Sequence, residues 1–243
     1  MNETIDSLLI GNLRLLQAEK GYRYSLDPIL LARFIKANRW PHVVDLGTGS
    51  GILPLLLAKL TAAEGLTGIE LQSGLAERAQ RNVELNALQG RVQILKGDIR
   101  FIRDMLPANS ADLVVCNPPF RPANSGRLAP DDERAAARHE LSGGITDFIA
   151  AADWLLNQGG TFAVVHLAER LPALVNGLLA VGIEPKRLRM VHPYTSKSAK
   201  LVLLEGRKGG RPGLEVEAPL YIYKGQGEAQ DYTEEVLQMY KQE

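Results

Sequence analysis

The sequence is poor in the residues that several protein classes depend on. It holds one cysteine, Cys116, in 243 residues. That excludes an intrachain disulfide framework and a cysteine-based zinc cluster. Four histidines are scattered without ligand spacing, so no structural metal is expected. No apolar run nears the roughly 20 residues of a membrane-spanning helix. The opening Met1-Asn2-Glu3-Thr4 lacks the basic and then apolar pattern of an export signal, so a cytoplasmic protein without a membrane partner is expected. Net charge is also lacking: 28 basic residues face 28 acidic ones, which argues against a strong non-specific polyanion binder.

What is present is apolar content of 45%, ample for a buried core, and a length that suits one large α/β domain with small additions. Residues 1–40 read as an N-terminal cap packed on a main domain of residues 41–243. In the cap, Leu8 to Gln17 and Tyr22 to Leu26 predict a hairpin around Glu19-Lys20-Gly21. Asp27 is placed to N-cap a helix through Ile35, with Pro28 at its first position. After Pro41 short apolar runs alternate with helical stretches. The runs at 43–46, 66–70, 92–95, 113–116 and 162–165 suit buried parallel strands. The helical stretches lie at about 52–62, 73–87, 99–106 and 144–157. Candidate strands at about 185–193 and 200–206 complete the sheet. The tail reads as a Gly/Arg-rich loop, a strand-like Tyr221-Ile222-Tyr223 and a terminal helix from about 232. Repeated βα units predict a Rossmann-like α/β fold, a mostly parallel sheet with helices on both faces.

The first buried strand runs into Asp45-Leu46-Gly47-Thr48-Gly49-Ser50-Gly51. Three alternate glycines let the backbone turn sharply and a ligand approach closely, and the next helix presents its free N–H groups to the loop. A dinucleotide fingerprint would need a third glycine at position 52, which is Ile52. The acid Asp45 would repel a pyrophosphate but favours a sulfonium or ammonium group. S-adenosylmethionine is such a ligand. Glu70, at the second strand's end, suits ribose hydroxyls, with Leu71 beside it. Asp98, with Ile99, follows the third strand and suits the cofactor's adenine amine. Each acid alone could merely cap the next helix; three at consecutive strand ends point to one ligand.

The fourth strand ends in Asn117-Pro118-Pro119-Phe120. An amine conjugated to a ring is a poor nucleophile because its lone pair is delocalised. The Asn117 side-chain oxygen and the Pro118 carbonyl can each accept one of its N–H bonds. That draws the nitrogen towards tetrahedral geometry and frees its lone pair for in-line attack on a methyl carbon. Pro119 helps stiffen the turn, and Phe120 offers a stacking face worth about 1–3 kcal/mol to a base. The competing reading is a plain strand-ending turn. Cys116, inside an apolar strand run, reads as a small buried hydrophobe rather than a nucleophile.

On the substrate side, residues 121–143 lack apolar periodicity and hold Arg121, Arg127, Arg134 and Arg138. Arg121 or Arg127 is a candidate phosphate contact, and a mobile solvated insertion is the alternative. From Lys186 to Arg211 eight basic residues stand against the single acid Glu205, a second candidate for an RNA contact; solvated strand ends are the bland reading. His139-Glu140 reads as structural, because adjacent residues seldom aim at one atom.

Asp45 to Gly51 together with Asn117 to Phe120 resemble the amino-methyltransferase branch of the class I methyltransferases, which carries an Asn/Asp-Pro-Pro-Tyr/Phe motif. Within it the chain is similar to the bacterial tRNA (adenine-N6) methyltransferases that act on valine tRNA. The similarity includes Tyr22 to Asp27, Ala137 to Glu140, Lys208-Gly209-Gly210, Pro219-Leu220 and Tyr232-Thr233. The resemblance implies a seven-stranded sheet whose last strand is antiparallel, and S-adenosylmethionine contacts at Asp45, Gly47, Glu70, Asp98 and Asn117. It also implies that Asp27 lies near the cofactor's methionine end, that Asn117 and Pro118 hold the target amine, and that Phe120 stacks on an adenine in tRNA. The same chemistry would serve a glutamine amide in a translation factor or a small-molecule amine. The short N-terminal extension disfavours the former, and the basic cluster disfavours the latter. A non-catalytic binding module is disfavoured by the intact motifs.

Overall fold

The computed structural model describes residues 3–8, 10–18, 25–119, 144–226 and 230–241. A hairpin opens the chain, β1 (Glu3–Ser7) against β2 (Arg14–Ala18). It differs from the expected one. The reversal occurs at 8–13, closed by Leu8 N–H to the Leu13 carbonyl at 2.7 Å, with Gly11 and Asn12 at positive φ. The expected second limb at Tyr22–Tyr24 lies outside the described residues, and Ser25 and Leu26 are in no strand. Helix α1 (Asp27–Phe34) follows, with Leu26 rather than Asp27 at the N-cap position. The expected start was thus one residue late, and Asp27 sits in the first turn, where an acid meets the positive end of the helix dipole.

The main sheet then forms. Its long strands are β3 (Arg39–Leu46), β4 (Ala62–Glu70), β5 (Val92–Lys96), β6 (Ala111–Cys116), β7 (Leu156–Leu167), β8 (Ile183–His192) and β9 (Leu201–Lys208). Their order is β8-β9-β7-β6-β3-β4-β5. All pairings are parallel except those of β9 with β7 and β8. Two short strands, β10 (Glu215–Val216) and β11 (Leu220–Tyr221), add to β8. The seven long strands with an antiparallel last member agree with the expectation.

Helices α2 (Ile52–Leu60), α3 (Ser73–Leu85), α4 (Ile145–Leu155), α5 (Leu171–Ala180) and α6 (Glu234–Met239) surround the sheet. α6 begins at a Thr233 N-cap. The region expected to be helical at 99–106 is a 3-10 turn over Ile99–Asp104, broken at Phe101.

Side chains of successive strand residues alternate between two cores, as the pleat requires. Val43, Leu113, Val115, Ala163 and Val165 face the core shared with the hairpin, α1 and α2. Val44, Leu46, Val114, Cys116, Phe162 and Val164 face the core shared with α4 and α5. Being covered on both faces is why these strands read as continuous apolar runs. All parallel strands end at one edge, and every candidate ligand residue on them lies there.

Candidate active site

Asp45, Glu70 and Asp98 come from three neighbouring strands, β3, β4 and the turn after β5. Asp45 is buried, 3% exposed, and its Oδ2 has no hydrogen-bond partner among the described residues. Burial pushes its carboxyl from 3.8 up to about 7, and the Glu70 charge adds to this; the Thr48 hydroxyl pulls the other way, without a well-formed hydrogen bond. A buried carboxyl left without a partner is costly and marks a place where a cation would be welcome.

The loop between β3 and α2 is shaped for close approach. Gly47, Gly49 and Gly51 have φ of 71°, 60° and 82°. A Cβ on Gly49 would meet nothing within 4 Å, so this turn borders open space. Thr48 is buried with an unpartnered hydroxyl, and its N–H donates to the Ile69 carbonyl at 2.9 Å. Glu70 is buried and braces the loop: Oε2 accepts from Gly49 N–H at 2.9 Å and Oε1 from Gln72 N–H at 2.8 Å. Burial raises its pKa, and these backbone donors oppose the rise. A carboxylate has about four acceptor sites, so capacity remains for ribose hydroxyls. Leu71 is half-buried beside it.

Asp98 does what a strand-end acid commonly does. It caps the 3-10 turn through Arg100 N–H at 3.0 Å and holds the Arg100 guanidinium with both oxygens. Arg100 keeps its carboxyl below the usual range. Ile99 is buried. Asp27 has a raised pKa through burial, and among the described residues its N–H donates to the Ser25 hydroxyl at 3.4 Å rather than to the glycine loop.

Leu46 pairs with Cys116 across β3 and β6, so the glycine loop and the Asn117 turn leave the sheet from adjacent strand ends. Asn117 is half-buried, Pro118 buried and Pro119 exposed. Phe120, Arg121, Arg127, Arg134, Arg138 and the His139-Glu140 pair lie outside the described residues. Cys116 is fully buried, with its thiol pushed well up by burial and by Asp45, so it is a core residue. A cleft of about 420 Å³ lined by His42, Gly65, Gln80 and Gln93 opens at the opposite edge of the sheet, away from these residues.

One contributor escapes any local motif. Asn82 of α3 is completely buried. Its side chain accepts from Leu16 N–H at 2.6 Å and donates to the carbonyls of Leu16 at 3.2 Å and Ser50 at 2.9 Å. It therefore ties the N-terminal hairpin, 66 residues before it in sequence, to the glycine loop. The only sequence signal is an asparagine on the apolar side of an amphipathic helix.

Residues 27–174 match the family model described as the methyltransferase small domain. The chain belongs to that family. Among relatives, a tRNA1(Val) (adenine(37)-N6)-methyltransferase of Porphyromonas gingivalis is 32% identical over 68% of this chain. That match spans 65% of the relative's length, just under two thirds. Another protein of that name, from Tolumonas auensis, is 31% identical over 73% of each chain. Among solved structures, a predicted O-methyltransferase from Agrobacterium tumefaciens superposes with a TM-score of 0.67 at 22% identity, covering 88% of this chain and 95% of that one; this likeness speaks to fold. S-adenosylmethionine is the cofactor that goes with this family and fold. The orphaned Asp45 and Thr48 oxygens and the open space at Gly49 fit it. Among the described residues no cluster of metal-ligating side chains accompanies them, and no helix is long and apolar enough to cross a membrane.

Proposed function

We propose that this chain transfers the methyl group of S-adenosylmethionine to the exocyclic amine of an adenine in tRNA. The observation that carries the reading is the register of β3 against β6, by which the glycine loop and the Asn117-Pro118 turn follow adjacent, paired strand ends. The substrate follows from the relatives, whose names specify adenine in a valine tRNA.

The cofactor supplies an electrophilic methyl group on a cationic sulfur. Asp45, as an anion, favours its positive charge, and Glu70 takes its ribose hydroxyls. Asp98, already oriented by Arg100, keeps acceptor capacity for the adenine amine. Gly47, Gly49 and Gly51 let the backbone approach, and Asp27 borders the methionine end. Asn117 Oδ1 and the Pro118 carbonyl accept the two N–H bonds of the target amine, which aligns its lone pair on the methyl carbon. Positioning of this kind needs no strong base. Phe120 provides the stacking face for a base turned out of its loop, and Arg121 and Arg127 contact phosphate.

The test is incubation with methyl-labelled S-adenosylmethionine and unmodified bacterial tRNA, followed by digestion to nucleosides and mass spectrometry. Label on the adenosine exocyclic amine is expected, and Asn117→Ala is expected to reduce turnover by about 100-fold or more, the scale of removing a key polar group beside the reacting atoms. Unlabelled tRNA, with the cofactor bound normally, would move the target to a protein amide or a small molecule.

A further inference from the structure

The basic segment 186–211 does not act as one patch. Arg187 is buried between Glu205 and Glu217 at 3.1 Å each, with its guanidinium over the Phe34 ring. Arg189 pairs with Glu235 and Glu217, Lys208 with Asp153, and Lys186 donates to the Arg211 carbonyl. Arg207 lies near the far end of β9, away from the edge where Asn117 sits. What this leaves at that edge is Lys197 and Lys200, both exposed.

These lysines occupy the loop between β8 and β9, and the loop is held firmly. Lys200 N–H donates to the Val191 carbonyl at 2.9 Å, and its carbonyl accepts from Ala168 N–H at 3.0 Å. The Lys197 carbonyl sits 2.8 Å from His192 Nδ1. β8 runs parallel to β7 because both are antiparallel to β9. Hence this loop and the Asn117 turn share the sheet's carboxyl edge. The steps from β6 through β7 and β9 to β8 cover about 14 Å.

Beside the lysines runs a ladder of tyrosines. Tyr194 and Tyr223 have ring centroids 5.3 Å apart, Tyr223 and Tyr232 5.5 Å at 10°, and Tyr232 and Tyr240 6.0 Å at 19°. All four are half-buried, and Tyr232 and Tyr240 also pack against the core. Lys224 is exposed next to Tyr223. Among the described residues no carboxylate forms an ion pair with Lys197, Lys200 or Lys224. Partly exposed aromatic rings interleaved with lysines suit bases and phosphates together.

We infer that Tyr194 and Tyr223, with Lys197, Lys200 and Lys224, form the surface that holds single-stranded nucleotides flanking the target base. The inference rests on the RNA reading above and assigns it a docking surface. Bases stack against the partly exposed tyrosine rings while the lysines take their phosphates, a short run of nucleotides away from the amine at Asn117.

The test uses the full chain, a fluorescent RNA stem-loop with an adenine in its loop, and anisotropy titrations at several salt concentrations. Tyr194→Ala is expected to raise Kd about ten-fold, with Tyr194→Phe close to wild type, as stacking requires. Lys197→Ala with Lys200→Ala should make the salt dependence shallower by about 0.7 for each phosphate no longer neutralised. Both variants should keep the wild-type melting temperature, S-adenosylmethionine affinity and kcat at saturating RNA, so that the loss appears in KM. Well-folded variants with unchanged Kd and salt slope overturn the inference, and so does a wild type that does not bind the RNA. RNA that is bound at this surface yet never methylated supports the surface and defeats the proposed function. Methylation that is indifferent to all these changes does the reverse.

Discussion

Asp45 is held in a state that water would not choose. Its carboxyl is buried without a partner for Oδ2 among the described residues and is pushed up to about 7, first by burial and then by Glu70. A bound cation reverses that preference, because it stabilises the anion. The affinity for S-adenosylmethionine should therefore climb as pH rises towards 7 and level off above it. Calorimetry on the wild type is expected to show binding at pH 6 about five- to ten-fold weaker than at pH 7.5. Asp45→Asn should bind weakly and with little pH dependence. A wild-type affinity that is flat over this range would show that Asp45 does not meet the positive charge. The residue was legible in the sequence because an acid ahead of alternating glycines is a local pattern. Its protonation was not legible, because that depends first on burial by the folded chain and then on the Glu70 charge.

At the scale of elements, the hairpin is part of the site's foundation. Asn82 joins β2 to the loop at Ser50, and Asn86 joins β2 to the end of α3 through Arg14. Glu3 on β1 meets Arg81 at 2.6 Å and Arg78 at 3.0 Å, first of these Arg81 holding its carboxyl down to about 2. Asn82→Ala strands the Leu16 N–H and two carbonyls away from water. It should cost about 3 kcal/mol of stability and weaken cofactor binding several-fold, measured by urea unfolding and calorimetry. Unchanged cofactor affinity would separate the hairpin from the loop. The hairpin was misread because its first strand, Glu3–Ser7, is polar and short, and its stability comes from α3 rather than from its own pattern. α5 was not foreseen at all. Pro172 near its start and Gly177 in its interior look like breaks, yet Pro is tolerated in a first turn, and Gly177 lies where a Cβ would approach Ile149 to 2.8 Å. The buried parallel strands were legible, since residues covered on both faces leave uninterrupted apolar runs.

For the molecule as a whole, the same buried carboxyl sets a link between folding and the ligand. In the unfolded chain Asp45 ionises near 3.8, and in the folded apo protein near 7. Its contribution is thus fully present below 3.8 and is lost progressively as pH rises through 7, the direction that follows from a raised acid pKa. Asn cannot ionise and escapes this loss. Asp45→Asn should therefore match the wild type near pH 4 and exceed it by an amount growing to at most about 4 kcal/mol by pH 7.5. Other shifted groups, such as His166 with its lowered pKa and Glu205 with its raised one, act equally in both proteins and cancel in the difference. Saturating S-adenosylmethionine should narrow the gap at pH 7.5, because it binds the folded wild type and gives the carboxylate its missing partner. Urea unfolding at pH 4.5, 6 and 7.5, with and without the cofactor, measures all of this. A stability gap that does not change with pH would mean that Asp45 is satisfied in the apo fold, and the glycines alone would then speak for a ligand in this loop.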